Sequence, residues 1–131
     1  MYLKWDDQYS VKVKKFNAQH LEMLDIINAI HDEFLGNNLR DTQIQLLNKL
    51  NQITSKHFSE EEHALIKINY SEILDHQDEH LNLLKELNDL KDDYIGNRID
   101  INEELIGFLA NWLTVHIEDM DKQYTPLLHD E

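Results

Sequence analysis

The chain has 131 residues, 26 of them acidic against 12 basic for a formal charge of −14, with 41% hydrophobic residues and no cysteine. That length suits one hydrophobic core, the charge disfavours attraction to nucleic acid or anionic lipid, and the missing thiols exclude disulfides and thiolate metal sites. With 3 Gly and 1 Pro, few residues are available for turns, so the expected class is all-α.

Residues 1–16 read as an extended arm in which Trp5, Tyr9, Val11 and Val13 alternate with polar neighbours. The opening MYLKWDDQYS contains no apolar signal segment, and no run approaches the ~20 apolar residues needed to span a bilayer. A cytoplasmic setting is expected. The period then changes to that of a helix over about 17–36, with His20, Leu24, Ile27, His31 and Phe34 on one face and Gly36-Asn37 as its stop.

Asp41 is the expected N-cap of a second helix over about 41–67, with a seam of Leu46, Leu50, Ile53, His57, Glu61 and Leu65. A third, over about 71–95, places Ile73, His76, His80, Leu83, Leu87, Leu90 and Tyr94 on its face before Gly96-Asn97. Asp100 and Glu103 make a capping box for a fourth helix over about 101–122, which buries Leu105, Leu109, Trp112, His116 and Met120 and ends ahead of Pro126. Short connections between four amphipathic helices predict one domain over 1–131, an antiparallel up-down-up-down four-helix bundle with the arm packed across it.

Histidine and glutamate interrupt apolar seams that would bury them, and each such group costs several kcal/mol without a partner. Metal ligation satisfies them together. His57 with Glu61, and His76 with His80, use the four-residue spacing that stacks two side chains about 6 Å apart on one face. With His20 and His116 they lie on four separate seams that can converge on one point. Asp121 is not nominated by helix geometry, because five residues from His116 is ~140° of rotation. His31 lies about 16 Å along the helix from His20, while His63 and His129 are expected in solvent.

Two other readings start from the same residues. His76-Gln77-Asp78-Glu79-His80 matches the H-x-x-E-H pattern of zinc metallopeptidases, but Glu79 is expected to point away from the seam and the pattern leaves His20, His57 and His116 unexplained. A ferritin-like oxidase needs two Glu-x-x-His pairs, and the chain has one, Glu60-x-x-His63.

The series Trp5, Tyr9-Ser10-Val11, Gln19-His20, His57-Phe58-x-x-Glu61-Glu62, Tyr70, His76-x-x-x-His80 and Trp112-Leu113-x-x-His116-Ile117-x-x-x-Asp121-x-x-Tyr124 resembles the hemerythrin family, particularly its single-domain bacterial members. Asn17, Lys12, Leu65 and Ser71 depart from residues common there, and none of these is a ligand position. The resemblance implies two non-haem irons joined by an oxo or hydroxo bridge. His76, His80 and His116 would hold one iron and His20 and His57 the other, with Glu61 and Asp121 bridging. The three-histidine iron then has six ligands and the other five, leaving one position for a small molecule. It further implies a dioxygen pocket of Phe58, Trp112, Leu113 and Ile117, and a non-enzymatic role in dioxygen storage, delivery or sensing. Sensing or scavenging of nitric oxide or peroxide is the alternative.

Overall fold

The computed structural model describes residues 2–130. Four helices follow in order, α1 (Lys14–Leu35), α2 (Arg40–Lys67), α3 (Ile73–Ile95) and α4 (Glu103–Asp119), with short 3-10 turns at Asp7–Tyr9 and Asp121–Tyr124 and no strand among the described residues. They form the antiparallel four-helix bundle, in which α1 packs on α2 and α4, and α2 on α3. None of these helices is long and apolar enough to cross a membrane.

Three helices end through an asparagine rather than a glycine. Asn38, Asn69 and Asn97 adopt left-handed φ of 49°, 56° and 60°, while Gly36 and Gly96 keep negative φ. Asparagine tolerates this conformation because its short polar side chain bonds locally. The reversed chain then closes on the last turn: Tyr70 N–H donates to Leu65 O at 3.0 Å, and Arg98 N–H to Asp93 O at 2.8 Å.

Several expected boundaries move. The arm is not extended throughout, because the Asp6 carboxylate accepts from Gln8 N–H and starts the 3-10 turn at Asp7. Helix α1 begins at Lys14 rather than 17, since Asp130 accepts from Lys14 N–H at 2.7 Å and supplies from the distant C-terminal tail a cap that Val13 lacks. Asn17 then ties the arm down, accepting from Val11 N–H at 2.9 Å.

Asp41 is not the cap of α2, which starts one residue earlier after Leu39; Asp41 lies in the first turn, where its charge meets the positive helix end. The cap of α4 is Asn102, accepting from Leu105 N–H at 2.9 Å, in place of the Asp100 and Glu103 box. Helix α4 stops at Asp119, so Met120 falls outside it and is only half-buried. On α2, Leu46 and Ile53 are half-buried, and the fully covered stripe instead includes Gln43, Leu47 and Thr54.

The core divides along the bundle axis. One end is filled by Ile27, Ile30, Leu47, Leu50, Leu87, Ile106 and Leu109. The other holds His20, His57, Glu61, His76, His80, His116 and Asp121, every one of them buried.

Candidate metal centre

Each helix contributes to the polar end on its own register. His20 lies one turn and a half into α1, His57 and Glu61 face inward from the late part of α2, His76 and His80 from the early part of α3, and His116 from the last turn of α4. Antiparallel packing sets these stretches at one level. Asp121 joins them because α4 has ended: the chain re-forms as the 3-10 turn Asp121–Tyr124, whose tighter winding carries the carboxylate inward.

The donor atoms converge. Every one of the five imidazoles turns Nε2 toward a carboxylate: His76 to Glu61 Oε1 at 2.7 Å and Asp121 Oδ1 at 3.1 Å, His80 to Glu61 Oε1 at 3.1 Å, and His116 to Asp121 Oδ1 at 3.0 Å. His57 approaches Glu61 Oε2 at 3.3 Å and His20 approaches Asp121 Oδ2 at 3.1 Å. Each carboxylate thus divides its oxygens, one toward His76, His80 and His116 and one toward His20 or His57. Donor atoms of Glu61, His76, His80, His116 and Asp121 lie within 4.8 Å of one another, as do those of His20, His57, Glu61 and Asp121.

These close approaches are mostly not hydrogen bonds. Nε2 of His20, His57, His80 and His116 and both Asp121 oxygens are buried without a hydrogen-bond partner. Lone pairs that come near one another without pointing at one another aim at a shared point between them. Two ligands at right angles on metal bonds of about 2.1 Å stand about 3.0 Å apart, the spacing seen here. Five imidazoles and two carboxylates without thiolate form a donor set suited to first-row divalent metals, iron among them. The residues fit a metal centre.

Electrostatics carry the same message. Burial alone would raise the Glu61 carboxyl, as would neighbouring Asp121, yet His57 and His76 outweigh both and hold it well below the usual carboxylate range. Asp121, also opposed by burial, is held low by His116, His20 and His76. Burial should lower His76, but the adjacent carboxylates of Asp121 and Glu61 lift it to about 10. His116 is raised against its burial by Asp121 and Glu61, whereas burial keeps His20 low. The two carboxylates demand positive charge, which protons on imidazole supply unless a cation does.

An outer layer orients the clustered imidazoles and carboxylates. His57 Nδ1–H donates to Gln19 Oε1 at 2.5 Å, and His80 Nδ1–H donates to Glu62 Oε2 at 2.8 Å, fixing the tautomer that leaves Nε2 free to face inward. Tyr124, fully buried, donates from its hydroxyl to Glu61 Oε2 at 2.9 Å. Burial, then Glu61 and Asp121, push that phenol far above its ordinary range, so it stays a donor.

Among the residues expected around dioxygen, Phe58 stacks on His80 with centroids 3.8 Å apart, and Trp112 donates from Nε1 to Leu83 O at 3.1 Å. Leu113 and Ile117 are buried on α4 along with Trp112. His63 and His129 are exposed, and His31 stacks on Tyr2 away from the cluster. Glu79 does not turn away as expected; its Oε1 lies 3.9 Å from His116 Nδ1, behind the imidazole. The roles of Gln19, Glu62 and Tyr124 are signalled in the sequence only by a polar residue adjoining or closely following a clustered donor.

Fold and site together define a metal-binding four-helix bundle with a buried histidine and carboxylate centre. The sequence profile of the hemerythrin HHE cation binding domain matches residues 11–128. The chain therefore belongs to the hemerythrin family. It is 28% identical over 121 residues to bacteriohemerythrin of Methylococcus capsulatus, covering 92% of each chain. It is 26% identical over 125 residues to that of Clostridium acetobutylicum, covering 92% of this chain and 96% of the other. A crystal structure of wild-type hemerythrin superposes with a TM-score of 0.91 at 27% identity, over 99% of this chain and all of that one.

Proposed function

We propose that this chain binds dioxygen reversibly, as a carrier, store or sensor and not as an enzyme, at a pair of non-haem irons. His76, His80 and His116 would hold one ion and His20 and His57 the other, with the Glu61 and Asp121 carboxylates available to both. The observation that carries this reading is the division of each carboxylate between a three-histidine and a two-histidine group. The unequal histidine numbers leave the His20 and His57 position one donor short, which is where a small molecule has room to bind.

Bound there, iron supplies the reversible electron donation that dioxygen binding requires. The protein supplies the surroundings. Five neutral imidazoles against two carboxylates give less anionic support to high oxidation states than a carboxylate-rich site does, which favours binding over substrate oxidation. Phe58, Trp112, Leu113 and Ile117 exclude water, and Tyr124 holds Glu61 in place.

The test is anaerobic titration of the chain with ferrous salt, followed by cycles of air and argon. Two irons per chain and a visible charge-transfer band that appears in air and fades under argon are expected. Uptake short of two irons, or a band that never fades, overturns the reading. Dioxygen affinity and the rate of irreversible oxidation then separate carriage from sensing and from nitric oxide or peroxide handling.

A further inference from the structure

The groups behind three of the imidazoles follow a regular order around the bundle, two by hydrogen bond and one by charge alone. Gln19, adjoining His20 on α1, serves His57 of α2. Glu62, adjoining Glu61 on α2, serves His80 of α3, and Glu79, adjoining His80, stands 3.9 Å behind His116 of α4. Helices α1, α2 and α3 thus each carry a clustered donor and, next to it, a side chain that stands behind an imidazole of the following helix.

The partners differ in charge. Behind His57 is a neutral amide, whose Nε2–H donates onward to Glu60 Oε2, and Glu60 is neutralised by Lys15 Nζ at 3.0 Å. Behind His80 and His116 are two carboxylates, and among the described residues neither has a lysine or arginine within ion-pair distance. A carboxylate accepting from an imidazole N–H makes the opposite nitrogen a stronger donor, and nearby negative charge favours the more highly charged metal ion.

Resting on the di-iron reading, we infer that this outer layer makes the two positions electronically unequal. Glu62 and Glu79 direct the first oxidation to the iron held by His76, His80 and His116, while the neutral Gln19 relay keeps the iron at His20 and His57 ferrous. Glu62 is a positioning residue that acts through its hydrogen bond to His80, and Glu79 adds its negative charge 3.9 Å behind His116. The ion with room for a small molecule is then the one kept reduced, and its neighbour is the readier electron source.

The full chain, loaded anaerobically with two ferrous ions, is oxidised stepwise with ferricyanide. Each equivalent removes one electron from iron and becomes ferrocyanide, and the two one-electron potentials are recorded. Glu62→Gln is expected to disfavour the first oxidation by about tenfold, a rise of about 59 mV, and to move the second potential less. Glu79→Gln shifts the first potential the same way by less. Lys15→Met, at a side chain 61% exposed and so safe for folding, unmasks the Glu60 charge, lowers the second potential and narrows the gap. Equal movement of both potentials in Glu62→Gln, or an unchanged gap in Lys15→Met, overturns the inference. Should Glu62→Gln fail to load iron, Lys15→Met alone decides. A wild-type chain that takes up no iron removes the di-iron reading itself, whereas two bound irons with potentials indifferent to these changes remove only the inequality.

Discussion

The two ends of the bundle are built on the same helical period and differ in what completes them. The apolar end is self-sufficient: Ile27, Ile30, Leu50, Leu87 and Leu109 bury one another, and Gln43 spends its amide hydrogens on Ile30 O and Asn38 Oδ1, both at 3.1 Å. The polar end buries seven ionisable groups whose inward atoms largely lack hydrogen-bond partners. Packing alone completes the first, whereas the second needs charge from outside the chain.

Removing metal should break this comparison open with the largest effect. The metal-free chain is expected to lose several kcal/mol of stability, with hydrogen exchange accelerating around His20, His57, His76 and His116 while amides near Ile30 and Leu50 stay protected. Uniform loss along every helix would contradict the division.

Its pH profile should change as well. His76, raised to about 10, contributes stability fully present below its unfolded value near 6.5 and lost as pH climbs through 10. Glu61 and Asp121, depressed, contribute stability present above about 4.5 and lost as pH falls through their lowered values. His20, lowered by burial, also opposes folding as pH falls below about 6.5. Metal replaces the proton on His76, so the alkaline limb is expected only in the metal-free chain, as denaturant melts across pH with and without iron would show.

A cavity in the apolar end comes next. Leu109→Ala, at a fully buried side chain, should cost about 2–5 kcal/mol in chemical denaturation yet leave iron stoichiometry untouched. Tyr124→Phe sharpens the contrast from the other side. Losing the hydroxyl donor to Glu61 should cost about 1.5–3 kcal/mol and speed iron loss to a chelator, which Leu109→Ala should not do.

The smallest effect lies outside both ends, at Lys12, whose φ of 64° is left-handed. Lys12→Gly relieves that strain and should raise stability by about 0.5–1 kcal/mol in the same melts, with the iron band unchanged.

The helices and six of the seven clustered donors were legible because their signals are local. His57 with Glu61 and His76 with His80 declare one face through four-residue spacing, and apolar runs such as Ile73, Leu83 and Leu87 declare the seam around them. Asp121 was legible only by resemblance, since its inward turn depends on α4 ending at Asp119. The caps differ from Asp41 and Asp100 for two reasons: Asn102 offers α4 an equivalent polar group two residues on from Asp100, whereas α2 starts after Leu39 with no side-chain cap at all.

By itself, then, the sequence determined four amphipathic helices, the stops between them and a set of imidazoles and carboxylates aimed at a common interior, since a 3.6-residue period is written in neighbours three and four apart. Tertiary structure decided what depends on contact between distant segments. It set Asp130 over the start of α1, swung Asp121 into the centre, shared each carboxylate between two histidine groups, and placed Gln19, Glu62 and Glu79 behind imidazoles of the next helix. No periodicity encodes these pairings, because they follow from where each helix ends and how it meets its neighbour.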